Sequence, residues 1–346
     1  MEAAADKILV VGPAWVGDMV MSQVLYKHLQ NRRPGVLIDV LAPAWSEPLL
    51  ARMPQVQRAI VKPIGHGEPA LGRRSKLGRR LRQEHYDQCI LLPNSFKSAL
   101  IPFFARIPRR TGWRGEWRYG LLNDLRVLDE EALPLMVQRF AALGQDADEP
   151  VPAQLPAPEL VADTGQAEAC RGRFGLNPAS PFLALCPGAE FGGAKRWPIE
   201  HYAELAGDYL RRGWQVVLFG SENDSEVTSR IRAACDDHAA CVDLAGRTRL
   251  AEAVDLLSLA GAVVSNDSGL MHIAAALSRP LVVVYGATSP GFTPPLNRNA
   301  AVLASDIDCA PCFQRECPLQ HHRCMREILP SQVAAKLDGL LHVEGH

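Results

Sequence analysis

At 346 residues the chain is too long for one compact core and suits two domains of ordinary size. Apolar residues make up 47% and charged residues 22%, which excludes a disordered chain, and no run of 18 apolar residues marks a membrane-spanning helix. The formal net charge is only -1, but residues 1–150 hold 21 Lys+Arg against 16 Asp+Glu, so the first half is basic and the second acidic.

Hydrophobic periodicity places buried strands at Lys7–Val11, Val36–Leu41, Ala59–Val61 and Gln88–Leu92 in the first half, with a helix over Met19–Leu29 after the first of them. In the second half strands are expected at Phe182–Cys186, Gln215–Phe219, Ala262–Ser265 and Leu281–Tyr285, spaced by helices at Tyr202–Arg211, Ser225–Ala234 and Gly269–Ala276. Near-continuous apolar strands alternating with helices mean parallel sheets covered on both faces. Residues 146–160 carry Pro150, Pro152, Pro156 and Pro158 among acids and alanines and read as a linker. The expected fold class is therefore α/β, with two doubly wound domains, 1–155 and 156–330, hinged near residue 155 and facing a ligand cleft outside the carboxyl ends of their strands. The first strand follows the N-terminus without a charged-then-apolar leader, so a cytoplasmic protein is expected, with its nine cysteines as reduced thiols.

Three turns carry candidate chemistry. After the first strand, Gly12 and Gly17 have the spacing of a phosphate-binding P-loop, but Asp18 and Met19 stand where that loop needs Lys and Ser/Thr. The turn thus offers a carboxylate, either a general base held by the scaffold or an acid stabilising a helix dipole. After Cys186 comes Pro-Gly-Ala-Glu-Phe-Gly-Gly-Ala-Lys-Arg-Trp-Pro, a glycine-rich loop from Pro187 through Gly188 that ends in Lys195 and Arg196. Its cations either sit over a diphosphate leaving group or are simply solvated. After Val264, Ser-Asn-Asp-Ser-Gly-Leu-Met-His turns a strand sharply into a helix. Asp267 and Ser268 suit the cap and Gly269 allows close backbone approach, so this is either an anion site or an ordinary capped helix.

Taken together, Gly-Asp-Met at Gly17, the loop from Pro187, Asn-Asp-Ser-Gly-Leu-Met-His from Asn266 and Tyr-Gly-Ala-Thr-Ser-Pro from Tyr285 resemble the bacterial lipopolysaccharide heptosyltransferases over most of the chain. The resemblance implies the glycosyltransferase B fold of two Rossmann-like domains. It also implies inverting transfer of L-glycero-D-manno-heptose from ADP-heptose to heptosyl-Kdo2-lipid A, with no cofactor and no metal for the chemistry. On this resemblance Asp18 is the base on the acceptor domain and Lys195 steadies the departing phosphate. Gly188, Asp267, Ser268, Gly269, Leu270 and His272 lie at the donor, the diphosphate being bound through backbone N–H groups of residues 268–270, and the adenine is sought near Leu218–Ser221 and Leu244–Thr248.

The acceptor so implied is an anionic lipid, which the basic first half is expected to meet. Arg73, Arg74, Lys76, Arg79, Arg80 and Arg82 place six cations within ten residues, and Arg106, Arg109, Arg110, Arg114 and Arg118 surround Trp113 and Trp117. Such clusters suit the inner face of the cytoplasmic membrane, the phosphates of lipid A and the core, or a solvated helix face. No nucleic-acid motif accompanies them. Gly17, Lys97, Arg73, Arg74 and Arg110 are the acceptor-side candidates. Phe96–Phe104 reads as a buried helix or an interfacial segment. Cys309, Cys312, Cys317 and Cys324, with His321 and His322 among them, are either a zinc site or reduced thiols. Residues 331–346 hold a last helix expected to cross back to the first domain. A nucleotide-sugar epimerase of the same fold and a non-catalytic anionic-lipid-binding protein are the alternative readings.

Overall fold

A computed structural model of the chain describes residues 6–65, 68 and 70–343. Its strands are β1 (Lys7–Val11), β2 (Leu37–Ala42), β3 (Arg58–Val61), β4 (Gln88–Leu91), β5 (Arg109–Trp113), β6 (Asp124–Arg126), β7 (Phe182–Cys186), β8 (Gln215–Leu218), β9 (Cys241–Asp243), β10 (Ala262–Asn266), β11 (Leu281–Tyr285) and β12 (Ala300–Ala304). Its α-helices are α1 (Val16–Arg32), α2 (Glu47–Leu50), α3 (Leu71–Leu81), α4 (Phe96–Phe104), α5 (Met136–Ala142), α6 (Thr164–Arg173), α7 (Ile199–Arg211), α8 (Ser225–Ala233), α9 (Leu250–Leu257), α10 (Gly269–Ala276), α11 (Arg323–Arg326) and α12 (Pro330–Val343).

The strands form two six-stranded sheets, ordered β3-β2-β1-β4-β5-β6 and β12-β11-β10-β7-β8-β9. Every pairing is parallel, beginning with Lys7 opposite Leu37 and Ile8 opposite Gln88 in the first sheet and Val263 opposite Leu281 and Ala184 in the second. The central strands are apolar end to end because both faces are covered: β7 and β11 are buried at every position. The four strands that periodicity alone did not mark are short or polar. Strand β5 opens on two arginines, β6 and β9 have three residues each, and β12 is an edge strand with exposed positions.

In each sheet the strand order reverses beside the first strand, between β1 and β4 and between β7 and β10. Loops leaving neighbouring strands diverge there, opening a crevice at the carboxyl ends. Asp18 and Lys97 follow β1 and β4, while Gly188, Lys195 and Asp267 follow β7 and β10. The doubly wound topology therefore puts every one of these candidates at a switch point.

The chain divides into two compact units, Met1–Pro158 and Glu159–His346, a few residues beyond the expected hinge near 155. The first has a core of Leu9, Val11, Leu41, Leu77, Cys89, Leu91 and Ile101, the second one of Leu183, Leu185, Trp197, Tyr202, Val264 and Val284. Helix α12 buries Val333 and Leu337 against the second core, and Asp338 accepts from Tyr209 at 3.2 Å and Arg212 at 2.8 Å. These contacts lie within the second unit and lend no support to the expected crossing to the first. Among the described residues no helix is long and apolar enough to cross a membrane.

Candidate active site

Strand β10 ends in a buried asparagine that assembles the second crevice. The Asn266 side-chain oxygen accepts from Trp197 N and from the Tyr202 hydroxyl, both at 3.0 Å, and its amide donates to Pro187 O at 2.8 Å. One side chain thus ties the loop after β7, the start of α7 and the end of β10 together. No part of it touches solvent, so its loss would orphan several buried groups.

The next residue departs from expectation. Asp267 does not cap α10; Ser268 does, its Oγ accepting from Met271 N at 3.4 Å. Asp267 instead accepts from Lys195 Nζ at 2.6 Å and from Thr288 Oγ1 at 2.7 Å, all through Oδ2. The pair is well shielded, with side chains 14% and 7% exposed. Geometry explains the switch: a carboxylate at the strand end points across the crevice to the glycine-rich loop, whereas the following residue has the extended backbone of an N-cap, φ -146° and ψ 171°. Gly269 and Leu270 open α10 and are partly exposed. As first-turn residues they have no carbonyl one turn back to receive their N–H groups, so they present donors and the positive end of the helix dipole beside the Lys195 ammonium.

Local packing holds Lys195 in place. Gly192 has φ +154°, and a Cβ there would strike the carbonyl of Arg315. Ala194 N donates to that carbonyl at 3.0 Å, and Gly193 N to Glu316 Oε1 at 3.2 Å. Lys195 Nζ lies 4.9 Å from the centre of the Phe191 ring. Gly188 is pressed on Asp224: a Cβ would come within 2.6 Å of the carboxylate, which itself accepts from Ser221 N and Oγ. The segment Cys309–Cys324 therefore buttresses the Lys195 loop. Its Cys309 Sγ lies 4.0 Å from His321 Nε2, none of the nine cysteines is in a disulfide, and among the described residues no three His, Cys, Asp or Glu side chains gather closely enough to hold a metal ion.

His272 lies in α10, 5% exposed. Burial pushes its imidazole from 6.5 down to about 4, with Asp267 pulling up and Lys195 pushing down. The folded protein thus binds this proton more weakly than the unfolded chain. The associated stability is complete above the unfolded value near 6.5 and is lost as pH falls from there toward 4. Wild type should lose on the order of 2 kcal/mol more unfolding free energy than His272→Gln between about pH 7 and pH 5, measured by urea unfolding. Parallel pH curves for the two proteins would remove the assignment.

In the first unit, Asp18 sits in the first turn of α1, partly exposed, beside the half-exposed Trp15. Gly17 precedes it, likewise partly exposed, and Lys97 is the second residue of α4. The arginines divide sharply. Arg73 is exposed and ion-paired with Glu68. Arg74 is 2% exposed, and its guanidinium donates to the carbonyls of Lys97 and Glu68 at 3.0 and 2.8 Å. Arg110 donates to Leu121 O at 2.6 Å and Ile107 O at 2.5 Å. Arg118, 1% exposed, donates to the carbonyls of Pro93 and Trp113. Arg110 and Arg118 fasten loops to the sheet, and Arg74 ties the segment before α3 to the head of α4, a use that a charge count along the chain does not reveal. Asn266, Thr288 and Asp224 were the residues that sequence reasoning left without a role; Asn266 and Thr288 lie inside the motifs that carry the family resemblance, which was their only signal.

Known proteins resemble this chain over nearly its whole length. A chain 52% identical over 342 residues, covering 97% of this chain and 98% of its own length, is lipopolysaccharide heptosyltransferase 2 of Escherichia coli strain K12. Lipooligosaccharide heptosyltransferase 2 of Haemophilus influenzae is 47% identical over 344 residues, covering 96% and 99%. The solved structure of E. coli ADP-heptose lps heptosyltransferase II matches with a TM-score of 0.88 at 49% identity, covering 98% of this chain and all of that one. Full-length likeness to transferases leaves the epimerase and the non-catalytic lipid-binding readings without support. With the model of glycosyltransferase family 9 (heptosyltransferase) matching residues 74–323, on two Rossmann-like sheets of the glycosyltransferase B type, the chain belongs to that family of transferases.

Proposed function

We propose that this chain transfers L-glycero-D-manno-heptose from ADP-heptose to heptosyl-Kdo2-lipid A in assembly of the lipopolysaccharide inner core, with inversion at the anomeric carbon and no metal. The observation that carries the reading is 52% identity along nearly the whole of a lipopolysaccharide heptosyltransferase 2. The Lys195–Asp267 pair at the head of α10 supports it, because a nucleotide-sugar transferase must receive negative charge as its diphosphate departs.

In this mechanism the first unit handles the acceptor and the second the donor. Asp18 takes the proton of the acceptor hydroxyl as its oxygen bonds to the anomeric carbon and the bond from that carbon to the diphosphate breaks. The leaving charge meets the N–H groups of Ser268, Gly269 and Leu270 and the Lys195 ammonium, which keeps N–H donors to spare beyond the one given to Asp267. Asp267 and Thr288 aim Lys195, Gly188 lets the donor approach the backbone, and His272, neutral at physiological pH, lies under the same helix start. Gly17, Lys97 and Arg73 belong to the acceptor side, while Arg74 and Arg110 shape it through the carbonyls they bind. The acceptor is lipid-anchored, so the protein works at the inner face of the cytoplasmic membrane as a peripheral enzyme.

The direct test is incubation of the purified protein with ADP-heptose and heptosyl-Kdo2-lipid A. An acceptor heavier by one heptose is expected, and an unchanged acceptor mass over many enzyme equivalents would overturn the reading. Activity should also survive EDTA. Of the Asp-x-Asp pairs of this chain, Asp146 with Asp148 belongs to the first unit, and Asp306 with Asp308 follows β12, outside the loops proposed to carry the diphosphate, and lines a cavity with Gly286 and Thr288. Loss of turnover in EDTA with rescue by Mg2+ would replace the metal-free mechanism by a metal-assisted one.

A further inference from the structure

We infer that the outward face of the α3–α4 pair is the surface by which this protein docks on a bilayer of anionic phospholipids. The inference rests on the proposed lipid-anchored acceptor and adds the surface that meets the bilayer around it.

Helix α3 is split lengthwise. Arg74, Leu77, Gly78 and Leu81 are buried at helical spacing, so Arg73, Lys76, Arg79 and Arg80 emerge toward solvent, followed by the exposed Arg82. Glycine at 78 brings α4 into close contact: a Cβ there would lie 2.6 Å from Phe104 Cβ and 2.7 Å from Ile101 O. The two helices therefore present one continuous surface. On α4, Ser98–Pro102 are buried while Phe96 and Phe103, seven residues apart and so on one stripe, are 44% and 40% exposed. Leu71, at the head of α3, is 59% exposed. Arg106, just beyond α4, is also exposed.

Charge complementarity names the partner. Glu68 is taken by Arg73, Glu84 by Lys7 and Arg58, and the exposed Glu116 accepts from Phe96 N at 2.7 Å, so one carboxylate stands at the head of α4 against five exposed cations. Among the described residues Lys76, Arg79, Arg80, Arg82 and Arg106 have no acidic partner within salt-bridge distance. Five uncompensated cations beside two phenyl rings and a leucine match a surface that is anionic at the headgroups and hydrocarbon just beneath. A nucleic acid would satisfy the cations but leave Leu71 without a partner. Of the same sequence clusters, the buried Arg74 and Arg118 and the partly exposed Arg110 are already spent on carbonyls, so it is the helix faces and not the clusters as a whole that form the surface.

The test is co-sedimentation of the full chain with vesicles of phosphatidylcholine alone or with phosphatidylglycerol added. Binding is expected only with phosphatidylglycerol and should weaken as salt rises, the screening length shrinking to about 8 Å at physiological ionic strength. The triple variant R79E/R80E/R82E should bind the anionic vesicles at least about a hundredfold more weakly, at roughly fivefold for each cation removed near the surface. R79Q/R80Q/R82Q, which adds no repulsion, should lose less, and F96S/F103S should lose binding without changing its salt slope. Heptose transfer to O-deacylated, water-dispersed acceptor should stay within about twofold for the charge variants while transfer to acceptor embedded in anionic vesicles falls about tenfold. Undiminished vesicle binding by both charge variants, or equal binding to uncharged vesicles, overturns the inference. So does retention of the wild type on RNA without binding to anionic vesicles. Absence of transfer by the wild type to the dispersed acceptor would instead overturn the proposed reaction, so the two failures are distinguishable.

Discussion

Lys195→Ala should slow heptose transfer by about a hundredfold while ADP affinity stays within about tenfold of wild type. The asymmetry follows from when the charge is needed. Negative charge develops on the leaving ADP as the glycosidic bond breaks, so a preorganised ammonium stabilises the transition state more than the bound donor; loss of one such group raises the barrier by roughly 2–4 kcal/mol. The structure adds a second effect. Without Lys195, the Asp267 carboxylate, 7% exposed, keeps among the described residues the Thr288 hydroxyl at 2.7 Å and faces the diphosphate as an uncompensated anion. Lys195→Ala/Asp267→Asn should therefore transfer faster than Lys195→Ala alone, a non-additivity expected of residues in direct contact. Steady-state kinetics beside calorimetry of ADP binding decides the matter. If ADP binding collapses with kcat at saturation unchanged, Lys195 is a ground-state contact. If neither quantity changes, the loop from Pro187 to Pro198 is scaffold.

Asp18→Asn is expected to cut turnover by about a hundredfold or more with ADP affinity unaffected, because the substitution keeps the size of the side chain and one acceptor oxygen but cannot take up the acceptor proton. Position makes the prediction specific. Asp18 stands in the first turn of α1, directly after β1, so it also completes the helix dipole, and asparagine forfeits that interaction. The dipole contribution is on the order of 0.3–1 kcal/mol, which lowers the melting temperature slightly and leaves the fold intact. A loss of turnover far larger than this thermal effect would separate catalysis from helix stabilisation. Near-normal turnover would return Asp18 to the helix terminus, with the base to be sought elsewhere at the β1–β4 crevice.

Most of the architecture was legible in the chain because a buried parallel strand has to be apolar along its whole length. Phe182–Cys186 and Leu281–Tyr285 were read to the residue for that reason. Strands β5, β6, β9 and β12 were not, since β5 opens on two arginines, β6 and β9 have three residues each, and β12 is an edge strand, so all four are held by their neighbours' hydrogen bonds more than by a continuous apolar pattern. The glycine-rich loop and the strand-to-helix turn at Asp267 were likewise visible, because special backbone geometry needs residue types that stand out.

What the turn residues do was decided only in three dimensions. Asp267 and Lys195 lie 72 positions apart and meet at 2.6 Å through the adjacency of β7 and β10, a pairing that no local pattern encodes. The basic clusters show the same limit from the other side. In sequence Arg74, Arg79, Arg110 and Arg118 are equivalent cations, yet the packing turns Arg74, Arg110 and Arg118 into braces for backbone carbonyls, the first and last of them buried, and leaves Arg79 at the surface. Composition determined that the first half is basic; which charges remain available to a partner depended on which side of its helix or loop each arginine emerged, and packing alone settles that.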